Sequence, residues 1–153
     1  HLIADIDGDG RLEIVCVDNI NGCVIYFKCD GDPRETSSWS HGYISEGGLP
    51  GAYDVAVGDF DGDGDLDIAG SGWRIGNQFA WFENRNGVWV RHIIEEDLPE
   101  TRAIRTADFD GDGLLDWFVT SISGKQRGTK AANGSSRRGE SRAKRSLSLW
   151  FRK

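Results

Sequence analysis

DFDGDGDLD at residues 59–67 returns as DIDGDGRLE at residues 5–13 and as DFDGDGLLD at residues 108–116, the starts lying 54 and then 49 residues apart. The similarity reaches beyond these acidic stretches. Trp39, Ile44 and Glu46 recur in register as Trp89, Ile94 and Glu96, and Leu49-Pro50 recurs as Leu98-Pro99. A whole unit of about 50 residues is repeated, so the chain is built from modules and not from one irregular core.

Outward from the acidic stretches, apolar residues come in short β-branched or aromatic runs separated by Gly and Asn, as strands and turns do. Residues 53–60 (YDVAVGDF) lead into the second stretch, 66–70 leave it, 78–84 (QFAWFEN) follow, and 88–95 (VWVRHIIE) close the unit. The first unit supplies 12–17, 23–28 and 39–45, and the third opens with 103–109 and 115–122. No stretch of ten or more residues keeps a 3.6-residue apolar period, so no helix is expected. Four strands at this period make a propeller blade. The expected fold is all-β: a β-propeller fragment of about three four-stranded blades, each with a DxDGDGxxD hairpin loop. Residues 1–52 form the first blade with its opening strand truncated, 53–101 the second, and 102–122 the start of the third.

The net charge of −7 conceals a division. Residues 1–122 carry 24 acids against 8 bases, whereas 123–153 carry one acid against ten bases. Residues 124–145 (GKQRGTKAANGSSRRGESRAKR) hold no apolar side chain larger than Ala, too little to order themselves by burial. Two readings of this tail stay open. In one, 123–145 is a disordered basic insertion, after which 146–153 resumes as the third strand of the third blade, SLWFRK resembling AWFEN at 80–84 and IYFK at 25–28. In the other, everything past Ile122 is foreign to the repeat, the product of a frame or sequencing error. No apolar run approaches the 18 or so residues that span a bilayer, so membrane insertion is excluded. Opening at His1 within a strand-like run, without Met, the chain reads as an excerpt that lacks its true start. Cys16, Cys23 and Cys29 are odd in number, and Cys16 and Cys23 lie in apolar strand-like runs, so they read as small buried hydrophobes rather than a disulfide framework.

Of the 24 acids, 13 fall in the three repeated stretches. Acids stand at relative positions 1, 3, 5 and 9, with Gly at 4 and 6: Asp5, Asp7, Asp9 and Glu13; Asp59, Asp61, Asp63 and Asp67; Asp108, Asp110, Asp112 and Asp116. The glycines allow the left-handed backbone of a tight turn, which folds the carboxylates around a common centre. Like charges at 4 Å repel by about 1 kcal/mol in water and about 4 kcal/mol at an effective dielectric of 20, so such a loop calls for a cation. Oxygen donors select a hard one. Calcium, with six to eight ligands in flexible geometry, suits the loop better than magnesium, which demands an octahedron. A seventh-position backbone carbonyl, at Arg11, Asp65 or Leu114, completes the set, which frees that side chain to vary. An EF-hand needs a Glu at position 12 and helical flanks; here position 12 is Cys16, Gly70 and Val119, and the flanks are strands.

These loops, the WFEN-like third strands and the Trp-to-Ile-to-Glu fourth strands resemble FG-GAP repeats of the VCBS type, the calcium-loop propeller repeat also seen in integrin α chains. The resemblance covers roughly residues 1–122. It implies a propeller of about seven blades, three structural calcium ions in this stretch, and an extracellular or cell-surface place in adhesion or carbohydrate recognition. The partners it implies are a glycan or protein ligand and the remaining blades of the parent chain. Some relatives degrade polysaccharides, so the alternative is the non-catalytic part of a lyase or hydrolase. Glu13 departs from the usual final Asp and lengthens that arm of the first loop.

Other features carry less. Trp81 and Trp89 recur at strand positions and read as core, whereas Trp73, in the glycine-flanked GSGWRIGN, is the better ligand candidate. His41 and His92 read as packing residues. No nucleophile motif or Ser-His-Asp set is present, and the carboxylates are committed to metal. The basic tail lacks interleaved aromatics, which argues against nucleic acid.

Overall fold

A computed structural model describes residues 1–121 and 146–150. The expectation of a disordered insertion at 123–145 lies outside them. The described chain forms β1 (Leu2–Ala4), β2 (Glu13–Asp18), β3 (Cys23–Cys29), β4 (Trp39–Ser45), β5 (Ala52–Gly58), β6 (Asp67–Gly72), β7 (Gln78–Arg85), β8 (Val88–Glu95), β9 (Ile104–Ala107), β10 (Asp116–Ser121) and β11 (Ser146–Trp150). Among the described residues one 3-10 turn, Thr36–Ser38, interrupts the strands. It closes locally, Glu35 N donating to the Asp32 carbonyl and Ser38 N to that of Glu35. No 3.6-residue pattern is needed for so short a turn, which is why periodicity missed it.

Each sheet is an antiparallel meander: β1-β2-β3-β4, β5-β6-β7-β8 and β9-β10-β11. The acidic loops all join the first strand of a sheet to its second. They spring from matching register pairs, Ala4 with Glu13, Gly58 with Asp67 and Ala107 with Asp116. The last lies next to β11, whose backbone pairs Trp117 with Trp150. Ile68, the counterpart of Trp117 one residue past its loop, pairs with Phe82. Trp150 therefore occupies the register place of Phe82, one residue from the Trp81 match that the letters suggest.

The sheets stack face to face through two apolar clusters, with β5 touching β1 and β2 on one side and β9 on the other. Strand alternation explains how the middle sheet serves both. Val55, Ile68, Ala80 and Phe82 point to the first sheet, meeting Val15, Val24, Ile44 and Leu49. Their neighbours Ala56, Ala69 and Phe79 point to the third, meeting Ile104, Trp117 and Val119. Burial on both faces is why β6, DIAGSG, carries no charge after Asp67 and is buried throughout. Leu49 packs so closely on β6 that a Cβ at Gly70 would lie 2.6 Å from its Cδ2, so that glycine is a packing requirement. The repeated Leu-Pro pins the chain after each fourth strand: Leu49 N donates to the Gly22 carbonyl and Leu98 N to that of Asn77, hooking the strand back onto its own sheet.

The three thiols are free; Cys23 is buried, whereas Cys16 and Cys29 are partly exposed, so Cys16 is not the buried hydrophobe its apolar run suggested. Trp81 and Trp89 pack partly buried against the two clusters.

Candidate metal centre

In each acidic loop the glycines take the left-handed backbone: Gly8 and Gly10 (φ 72° and 86°), Gly62 and Gly64 (77° and 97°), Gly111 and Gly113 (78° and 92°). This turns the alternate carboxylates inward. The position-1 acid caps the turn, accepting from the sixth residue: Gly10 N to Asp5 at 2.9 Å, Gly64 N to Asp59 at 3.0 Å, Gly113 N to Asp108 at 3.0 Å. The position-5 acids, Asp9, Asp63 and Asp112, accept from the seventh-residue N–H of Arg11, Asp65 and Leu114, each at 2.9 Å. The ninth acid reaches back to the second residue: Ile6 N to Glu13, Phe60 N to Asp67 and Phe109 N to Asp116, at 2.9, 3.0 and 2.9 Å. Three loops with different side chains thus share one hydrogen-bond plan.

The plan brings positions 1, 3 and 9 together. Asp5, Asp7 and Glu13; Asp59, Asp61 and Asp67; and Asp108, Asp110 and Asp116 each offer carboxylate oxygens within 4.8 Å of one another. The fifth-position acids stand beside these triplets with one oxygen engaged by the backbone. Asp65 turns its side chain to Asn86 N at 3.2 Å.

The ninth-position acids are buried, Glu13 and Asp67 at 0% exposure and Asp116 at 2%. Burial pushes the Glu13 and Asp67 carboxyls above the usual range, against the pull of their backbone hydrogen bonds. Asp61 is likewise raised, by burial first and then by the Asp63 charge. Buried carboxylates facing one another call for a positive charge. Glu13 shows the need directly: its Oε1 is buried and has no hydrogen-bond donor among the described residues. All-oxygen donors, convergent acids and this orphaned oxygen fit a hard divalent cation.

Sequence reasoning missed the groups that the third strands bring to the loops. Lys28 of β3 donates to Asp7 and lies 2.7 Å from Asp9 Oδ2. This pair raises the lysine pKa and lowers that of Asp9. In the second sheet the corresponding residue is Glu83, held by Arg85 at 2.7 and 2.9 Å and by His92 Nε2 at 2.6 Å. Arg85 above all, with His92, pulls the Glu83 carboxyl down to about 2 against the opposing effect of desolvation. His92 also stacks on Trp81, the centroids 4.6 Å apart. Asn84 joins neighbouring sheets, donating to the Ile6 carbonyl at 3.0 Å while its N–H donates to Asp67 at 2.8 Å. The letters held the signal, since IYFK at 25–28 and AWFE at 80–83 are matching runs that end in opposite charges, Lys28 and Glu83.

Antiparallel sheets stacked face to face, each with an acid-and-glycine turn between its first two strands, define a repeat protein of the propeller-like kind. Residues 5–70 match the family described as FG-GAP-like repeat. The match runs from the first acidic loop through the second into β6. No curated protein and no solved structure matches the chain.

Proposed function

We propose that the chain is about three blades of a calcium-stabilised β-propeller in a secreted or cell-surface protein, serving recognition of a glycan or protein ligand without catalysing a reaction. One observation carries the metal reading: three loops of different sequence converge on one carboxylate geometry whose ninth acid is buried, with an orphaned oxygen in the first. The ligands would be the acids at positions 1, 3, 5 and 9 and the carbonyls of Arg11, Asp65 and Leu114. Bound there, calcium supplies structural charge neutralisation. At about 1 mM free calcium and a dissociation constant of about 0.1 mM, each filled loop adds about 1.4 kcal/mol. Thermal melting tests this, with a rise on adding calcium, a smaller rise with magnesium, and reversal by chelator; a melting temperature indifferent to calcium removes the reading.

The recognition half rests on a patch at the opposite end of the second sheet, in the connections 73–77 and 98–102. Tyr53 packs edge-on against Trp73 at 5.3 Å, and the Arg74 and Arg102 guanidiniums lie 4.2 and 4.9 Å from the indole centroid. Arg74, Asn77 and Glu100 all hold left-handed backbones here (φ 58°, 46° and 57°). Such strain is retained where neighbours fix it, as at binding sites. A glycan array run beside protein capture separates the two ligand classes, and Trp73→Ala should abolish whichever signal appears while leaving the calcium response intact.

A further inference from the structure

Matching register pairs place Lys28 and Glu83 at the same point of their sheets. Ile14, one residue past the first loop, pairs with Phe27, and Ile68, one residue past the second, pairs with Phe82. Lys28 and Glu83 follow directly on those partners. The first loop thus receives an ammonium from its third strand, and the second receives a carboxylate.

The ammonium sits where the loop's negative charge is concentrated. It bonds the acids of positions 3 and 5, Asp7 and Asp9, and also acts through space on Glu13. Its stem is mostly covered, with 19% of the side chain exposed, so the charge is held in place rather than waving in solvent. The second loop has no such guest. Among the described residues, none of its five aspartates takes part in an ion pair; Arg85 and the His92 ring are bonded to Glu83 instead, and Arg85 reaches Asp61 only through space. Glu83 itself adds to the negative field felt by Asp61.

We infer that Lys28 is the resident counter-ion of the first loop, a tethered ammonium that holds residues 5–13 in shape without metal and competes with calcium there, so that of these two loops the second is the metal-dependent one. This rests on the calcium reading for the contrast between the loops, but not for the role of Lys28 itself. A single ammonium offers three donors and one charge, so it neutralises Asp7 and Asp9 only in part and leaves Glu13 Oε1 without a donor. The first loop is therefore self-supporting and weak for calcium, not sealed against it.

Hydrogen exchange followed by mass spectrometry on the full chain tests this, comparing peptides over 5–13 and 59–67 in calcium and in chelator. Chelation should speed exchange in 59–67 by about tenfold, the factor lost when a site about ten times above its dissociation constant empties, and leave 5–13 nearly unchanged. Lys28→Met, which keeps the covered stem and removes the charge, should make 5–13 respond to chelator as 59–67 does. An equal response of both loops in the unaltered chain, which needs no variant, overturns the inference. Should neither loop respond to calcium, the metal reading fails alone: faster exchange of 5–13 in Lys28→Met would still support the ammonium, and unchanged exchange would overturn it.

Discussion

Asp67 is fully buried and uses both oxygens on backbone N–H groups, Asn84 at 2.8 Å and Phe60 at 3.0 Å. Asp67→Asn would turn an amide NH2 toward one of these donors, leaving a buried N–H unpaired at a cost of about 1–3 kcal/mol. Chemical denaturation in chelator should show that loss, and calcium should no longer stabilise the second loop. Glu83 gives a pH signature. Its carboxyl is depressed from 4.5 to about 2 in the folded chain, chiefly by Arg85. A depressed acid contributes stability that is fully present above the unfolded value and lost as the pH falls through the folded one. The difference in denaturation midpoint between the parent chain and Glu83→Gln should therefore be constant above about pH 5.5 and shrink steadily toward pH 2. A difference independent of pH would show that the Arg85 and His92 contacts do not act through charge.

At the scale of the element, the acidic loop and the Leu-Pro hook use glycine for different reasons. Gly64 has φ 97° but open space where a Cβ would stand, so Gly64→Ala should cost only backbone strain, about 1–2 kcal/mol. Gly51 combines φ 69° with a Cβ position 2.0 Å from the Trp73 carbonyl oxygen. Gly51→Ala should be the more damaging of the two, because a backbone atom cannot rotate away. Thermal melting of the two variants side by side checks the order. The strands themselves were legible: runs 39–45 and 88–95 coincide with β4 and β8, and the others agree within a few residues. Alternation and flanking Gly or Asn are local signals, which a sequence displays directly. The register at β11 was not legible, since a one-residue slip leaves the letters equally plausible while reversing the faces.

For the whole molecule, stability comes from the two interfaces between sheets. Phe60 is fully buried, with its ring 5.2 Å from Trp117 across the second interface. Phe60→Ala should cost about 3–5 kcal/mol and loosen the third sheet from the second, visible as lost cooperativity in melting. The outer face of the first sheet carries Phe27, His41 and Tyr43 in ring contact, with Phe27 and Tyr43 exposed. In a propeller such a face would meet another blade. Sedimentation should show concentration-dependent association of the isolated chain, weakened by Tyr43→Lys; a strictly monomeric chain would argue against further blades on that side.

The sequence by itself determined the chemistry and period of this protein: alternate acids with glycines at fixed offsets dictate the loop, and two-residue apolar alternation dictates the strands, because both are encoded within a few neighbouring residues. Tertiary structure alone decided which side chains share those loops. Lys28 lies 15 residues beyond Glu13 and Glu83 16 beyond Asp67, and each reaches its loop only through the pairing of third strand to second. Sheet register thereby sets one loop against a cation and the other against an anion, a distinction that no spacing within the acidic stretch contains.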